Sequence, residues 1–201
     1  MNRRTMFTLA ALLAVLPALQ GCFPVIAGGI AAGVLAVDDR RTLAAQAEDR
    51  TIYLKAESRI SERFGDKVHV NVTSFNRRVL ITGEVSDDKM RGEVERVVGG
   101  VENVAVIVNE LQVAGVSSLT ARTNDSIITS KVKGNFVDDT RVQANAFKVV
   151  TEASVVYLMG LVTREEGDRA ATVASRTSGV KQVVKVFEYV PVAPRAAEAK
   201  K

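Results

Sequence analysis

Cys22, in the stretch LQGCF, is the sole cysteine of the 201-residue chain, and His69 is the sole histidine. One thiol rules out an internal disulfide, and one thiol with one imidazole all but excludes a mixed metal site or a Cys–His catalytic pair. The other candidates for chemistry are two adjacent carboxylate pairs, Asp87-Asp88 and Asp138-Asp139. Acid–base catalysis needs carboxylates that converge, whereas neighbours on a strand or turn point apart. Asp87 or Asp88 instead suits the N-cap of the amphipathic stretch ending near Val98, and Asp138-Asp139-Thr140 reads as a turn. Phosphate-loop, zinc-spacing and nucleophile-elbow patterns are missing. A hydrolytic triad needs a base, and His69 alternates with Val68 and Val70 as a solvent-facing strand residue does. No catalytic residue, metal ligand or cofactor is assigned, and no enzyme is expected.

The elements before Cys22 explain the thiol better. Arg3 and Arg4 are followed by an apolar run of 11 residues, Met6 to Leu16. Such a run rises only about 16 Å as a helix, too short to span a bilayer and of the right length for an export signal. Leu-x-Gly-Cys then resembles the lipobox of bacterial lipoproteins. That resemblance implies a signal peptide over residues 1–21, cleavage before Cys22 and acylation of its sulfur, with palmitate among the acyl chains. Gln20 departs modestly from the usual Ser or Ala. One acyl chain holds a protein only marginally, whereas two or three make membrane residence permanent. Phe23 replaces the Asp that commonly retains lipoproteins at the inner membrane. The expected location is therefore the outer membrane, lipid-anchored and facing the periplasm.

Residues 22–46 read as an acylated tether. Its FPVIAGGIAAGVLAV stretch contains a formal GxxxG, Gly29 to Gly33, but is too short and too glycine-rich for a spanning helix. A flexible linker of about 27 residues reaches roughly 30 Å. The formal charge of +4 includes two arginines of the leader, so the mature charge is about +2. No Lys/Arg tract concentrates it and Trp is absent, which argues against a nucleic-acid partner.

The rest of the chain is a diverged duplication. Asp49-x-x-Ile52-x-x-x-Ala56-x-x-x-Ile60 matches Asp125-x-x-Ile128-x-x-x-Val132-x-x-x-Phe136, with apolar steps that share one helical face. Val79-Leu80-Ile81-Thr82-Gly83-Glu84-Val85 matches Val156-Tyr157-Leu158-Met159-Gly160-Leu161-Val162. Amphipathic stretches then lead to Gly100-Val101 and Gly179-Val180, and each copy closes on a β-branched run. Each copy reads helix, strand, strand, helix, strand, with hairpin tips at 74–78 and 152–154. Val68, Val70 and Val72 alternate with polar residues as in a half-buried strand. Gly83 and Gly160, inside strands, suggest a helix crossing tightly there. The fold class expected is α+β, two tandem units of about 65 residues, each a three-stranded sheet covered by two helices. Cores this small are marginal alone, so the copies are expected to pack together.

This layout resembles the BON domain, over residues 47–114 and 119–190, with residues 191–201 left as a disordered tail. The residues carrying the resemblance are the Asp-x-x-Ile helix starts, the Val-x-Leu-x-Gly-x-Val strands and the Gly-Val-x-x-Val entries to the last strands. It implies a non-enzymatic, phospholipid-binding protein. For two-domain lipoproteins of this family it implies support of outer-membrane integrity and of envelope biogenesis at the division site.

A second lipid contact, beyond acylated Cys22, is expected on the first helix of copy two, capped by Thr123 or Asn124. Ile127 lies off the core stripe of Ile128, Val132 and Phe136. With Ser130, Lys131, Lys133 and Gly134 it forms the candidate lipid-binding set. An exposed apolar anchor beside cations suits an anionic phospholipid surface, at about 1 kcal/mol per cation. The bland alternative is a solvated helix with Ile127 packed between the domains. The matching helix of copy one (Arg50, Lys55, Glu57, Arg59, Glu62, Arg63) mixes its signs and reads as support. The rival function is a scaffold that binds an outer-membrane assembly machine or cell-wall partners through protein contacts.

Overall fold

A computed structural model describes residues 39–191; the leader, Cys22, the GxxxG stretch and the tail beyond Pro191 lie outside the described residues. The first repeat runs α1 (Leu43–Phe64), β1 (His69–Phe75), β2 (Arg78–Val85), α2 (Asp88–Gly99), β3 (Val106–Asn109) and β4 (Gln112–Val113). The second runs α3 (Leu119–Asp138), β5 (Phe147–Glu152), β6 (Val155–Val162), α4 (Arg164–Ser175) and β7 (Gln182–Tyr189). In each sheet the second strand is central. β2 pairs antiparallel with β1 and parallel with β3 and β4, and β6 pairs antiparallel with β5 and parallel with β7.

Both first helices start earlier than the Asp-x-x-Ile pattern suggests. Thr42 caps α1 by accepting from Ala45 N, and Ser118 caps α3 by accepting from Ala121 N. Thr123 and Asn124 are therefore inside the helix and cap nothing. α1 also begins ahead of residue 47, and the residues before it are held in place. The Arg41 guanidinium donates to Asp39 and Asp49 and lies 3.8 Å over the Phe75 ring. Asp87 caps α2 through Met90 N as expected.

Asp49 and Asp125 have a different job from starting helices. Each hairpin turns through two residues with positive φ, Asn76 and Arg77 (51° and 63°) and Ala153 and Ser154 (50° and 66°). That is the type I′ geometry whose twist matches the strands, yet only Asn of these four tolerates it well. The buried aspartates hold the turns closed. Asp49 accepts from Asn76 N at 2.7 Å and Arg77 N at 2.8 Å, and Asp125 accepts from Ala153 N at 3.0 Å and Ser154 N at 2.8 Å. One residue on the core face of each first helix thus clamps the far end of its own sheet.

The strand glycines also need correcting. No helix crosses at Gly83. Its φ is +117°, and an added Cβ would stand 2.0 Å from the His69 carbonyl oxygen of the neighbouring strand. At Gly160 the close neighbour is again backbone, the Ala146 oxygen at 2.9 Å. Close backbone approach, from β1 at Gly83 and from the 3-10 turn Ala144–Ala146 that leads into β5 at Gly160, explains the recurrence.

Each repeat has its own helix-on-sheet core. Ile52, Ala56 and Ile60 pack on Val79, Ile81 and Val85 in the first, and Ile128, Val132 and Phe136 pack on Val156, Leu158 and Val162 in the second. A third cluster joins them. Phe75 and Leu80 of the first sheet meet Tyr157, Met159 and Val186 of the second. The central strands β2 and β6 therefore bury both faces, while β1 keeps the half-buried alternation, with Val72 buried and Asn71 exposed. Desolvation in β6 pushes the Tyr157 phenol up to about 12.

His69 is corrected for the same reason. It is a partly buried residue whose Nδ1 lies 2.7 Å from Glu84 Oε2. Between the repeats, Asn71 donates to Glu152 at 3.0 Å and Asn76 to Glu188 at 2.7 Å.

Candidate functional site

α3 buries Asp125, Ile128, Val132 and Phe136. These positions define the face turned to β5 and β6 and, by the 3.6-residue repeat, the face turned to water. Ile127, Ser130, Lys131 and Gly134 fall at steps of three, four and seven along that outer face, and all are exposed. Ile127 is 48% exposed, so it does not pack between the domains. Val137, three residues beyond Gly134 and 71% exposed, extends the stripe by another apolar side chain. Lys133, also exposed, borders it on the other side from Lys131: it is three residues beyond Ser130 and four before Val137, about 120° round the helix from Ile127, towards β5.

Chemically the stripe is an apolar ridge flanked by two exposed cations, Lys131 and Lys133. The hydroxyls along it turn inward onto their own helix: Ser126 donates to Arg122 O and Ser130 to Ser126 O. An added Cβ at Gly134 meets nothing within 4 Å. Packing therefore does not require glycine there, and the backbone is left open to an approaching surface. Among the described residues neither Lys131 nor Lys133 has a carboxylate partner at ion-pair distance.

Lys133 adds its charge to a neighbouring cleft. Arg41, Asp49, Arg50, Tyr53 and Lys148 line a cavity of about 490 Å³ between α1 and β5. Desolvation, then the charges of Arg41 and Lys133, hold the Lys148 ammonium below its usual value. The cleft is a positive flank beside the apolar ridge.

The structure puts Ile127, Ser130, Lys131 and Gly134 together on the outer face of α3, with Lys131 and Lys133 on its two flanks. Sequence reasoning missed Val137, although the same steps that pick out Ile127 pass through it. It also missed Glu84 and Glu152, whose proximity depends on how the two sheets meet. Cys22, the expected lipidation site, lies outside the described residues.

Comparison with known proteins adds the family. The BON domain model matches residues 54–115 and 124–191. Outer membrane lipoprotein DolP of Haemophilus influenzae is 37% identical over 184 residues, covering 90% of this chain and 95% of that protein. A 21 kDa hemolysin of Actinobacillus pleuropneumoniae is 28% identical over 154 residues, covering 76% and 79%. Osmotically-inducible protein Y of Escherichia coli is 29% identical over 140 residues, covering 68% and 70%. No helix among the described residues is long and apolar enough to cross a membrane. The localisation expected from the leader, lipid-anchored at the outer membrane, agrees with the first of these relatives. Two matched domains filling most of an α+β chain, with a full-length lipoprotein relative, place this protein in the BON-domain family.

Proposed function

We propose that this chain is a non-enzymatic lipoprotein with two means of holding the membrane. Acyl chains on Cys22 anchor it, and the outer face of α3 binds anionic phospholipid. Through that second contact it supports outer-membrane integrity and envelope biogenesis, with the division site as its place of action. The observation that carries this reading is the solvent-facing stripe of Ile127, Ser130, Lys131, Gly134 and Val137 on a helix whose opposite face is core. Ile127 and Val137, 48% and 71% exposed, forgo only part of the about 1.5–3 kcal/mol that full burial of such a side chain is worth. A bilayer interface recovers that part, and an anionic headgroup meets Lys131. An anchored chain needs only a weak second contact, because the anchor already supplies a high local concentration.

The test is vesicle flotation with a fragment starting at residue 39, which lacks the anchor. It is expected to float with vesicles containing anionic lipid and not with zwitterionic ones, and to be released by salt. Lys131→Glu with Lys133→Glu is expected to abolish flotation. Indifference to both vesicle types would overturn the reading and leave a protein-binding scaffold, with Ile127 contacting an assembly or cell-wall partner, as the better account. Chemical-shift mapping against lipid micelles reports site and ligand together, and shifts confined to α3 are expected.

A further inference from the structure

We infer that the joint between the two domains is a binding site for a divalent metal ion of the zinc type, held by His69, Glu84 and Glu152. His69 and Glu84 are cross-strand partners in the first hairpin, so both side chains leave the same face of that sheet. Glu152 ends β5 of the other domain and comes to meet them. One ligand atom from each lies within 4.8 Å of the other two. Zinc takes imidazole nitrogen and carboxylate oxygen at about 2.0–2.2 Å, so its donors stand about 3.3–3.5 Å apart. To hold an ion, the 2.7 Å His69–Glu84 pair opens and Glu152 draws in from within 4.8 Å.

Charge supplies the second line of argument. Glu84 and Glu152 are each only 5% exposed, and among the described residues neither pairs with a lysine or arginine. The donors recorded for them are neutral Asn71, at 3.0 Å from Glu152, and the single imidazole. Two buried carboxylates facing one imidazole are costly unless a cation joins them. The fold does not demand this arrangement, because the second repeat puts Leu161 where the first has Glu84.

Access and ligand type complete the case. A cavity of about 340 Å³, lined in part by His69, Glu152, Arg122, Ser126 and Thr151, runs alongside and provides both an entry path and room for water as a further ligand. One imidazole with two carboxylates and no thiolate favours zinc over magnesium or calcium, which prefer all-oxygen shells, and over soft cuprous ion. Because the ligands come from both domains, the ion would bolt the two sheets together, independently of lipid binding at α3.

The experiment uses the full mature chain in detergent, stripped with a strong chelator and titrated with zinc against a colour-changing chelator near neutral pH. One ion per chain is expected, with X-ray absorption showing one imidazole among oxygen ligands and with a raised unfolding midpoint. His69→Ala and Glu152→Gln are each expected to weaken binding by roughly 100-fold. Glu152→Gln is isosteric and keeps an acceptor for Asn71, so it decides the matter if His69→Ala fails to fold by circular dichroism. No zinc uptake by the wild-type chain would overturn the inference. So would wild-type uptake in the folded variants.

Discussion

In α1, Lys55 donates to Glu102 at 2.6 Å, Ser58 donates to Glu62 at 2.6 Å, and Glu57 accepts from Val72 N of β1 at 3.2 Å. Counting from the shared aspartate, the equivalent positions in α3 are Lys131, Gly134 and Lys133, and none is tied down in this way. Thr51 of α1 becomes Ile127 in α3. Both helices clamp the turn of their hairpin and bury the same stripe, yet α1 commits Lys55, Glu57 and Ser58 to bonds within the first domain, with Leu54 exposed beside them. The duplication has left one copy to support and the other to present a surface. What a shared fold conserves is the inward face; what it leaves free is the outward one.

The strongest way to break this comparison is at the strand glycines, where the two copies look alike in sequence and differ in backbone. Gly83→Ala meets both a positive φ and the His69 carbonyl oxygen, at a cost of about 4–6 kcal/mol from strain and overlap together. Gly160→Ala meets the Ala146 oxygen at 2.9 Å without unusual φ and is expected to cost about 1–2 kcal/mol. Denaturant unfolding followed by backbone resonances separates the two. Equal costs would show that the left-handed residue in the first hairpin is not under constraint.

Next in size are the aspartate clamps. Asp49→Ala removes bonds to Ser74 Oγ, Asn76 N and Arg77 N and leaves Arg41 without one of its two carboxylates. Its expected cost is about 3–4 kcal/mol. Asp125→Ala loses only Ala153 N and Ser154 N and is expected to cost about 2 kcal/mol. Hydrogen exchange at the turn amides reads each clamp directly, and the first hairpin is expected to lose more protection.

At the surface the comparison turns on Ile127 and Thr51. Ile127→Thr is expected to weaken anionic-vesicle binding about tenfold, the worth of roughly 1.5 kcal/mol of apolar burial. Thr51→Ile is expected to gain almost nothing, since Lys55 beside it is already engaged by Glu102. Adding Glu102→Gln to Thr51→Ile frees that lysine, and measurable vesicle binding by the double variant would sharpen the claim that internal pairing silences α1.

These contrasts were unequally visible in the sequence. The helices, hairpins and inward stripes follow from local periodicity, so Ile52 and Ile128, or Val79 and Val156, announce themselves. Ile127 was legible because a residue one step off the stripe must face elsewhere. The aspartates were recognised as recurrent but misassigned, because their partners lie 27 to 29 residues away across the sheet and no helical period encodes that distance. His69 looked solvent-facing because alternation reports only that one face differs from the other. Nothing local says that a second sheet, bringing Glu152, covers part of the polar face at His69.

The smallest effect expected concerns the second helices, α2 and α4, and it depends on pH. α2 is capped by Asp87 alone, an exposed side chain. α4 carries a capping box in which Thr163 accepts from Glu166 N and Glu166 accepts from Thr163 N. Glu166 is further held by the Arg40 guanidinium through two bonds of 2.6 and 2.7 Å, and Arg40 also donates to Leu161 O. The Arg40 bond, chiefly, lowers the Glu166 carboxyl from 4.5 to about 2. A depressed folded-state pKa contributes stability that is fully present above the unfolded value and is lost as pH falls towards the folded one. The strap that ties the segment before α1 to the second domain is therefore expected to weaken between about pH 4.5 and pH 2. Arg40 and Glu166 are partly exposed, so solvent screening limits the effect to roughly 1 kcal/mol, or about 2–4 °C in melting temperature. Melting curves of the wild-type chain and Glu166→Gln across that range provide the measurement. The two are expected to differ most above pH 4.5 and to converge near pH 2, whereas a constant offset at every pH would mean that the capping box, which glutamine preserves in part, acts without Arg40.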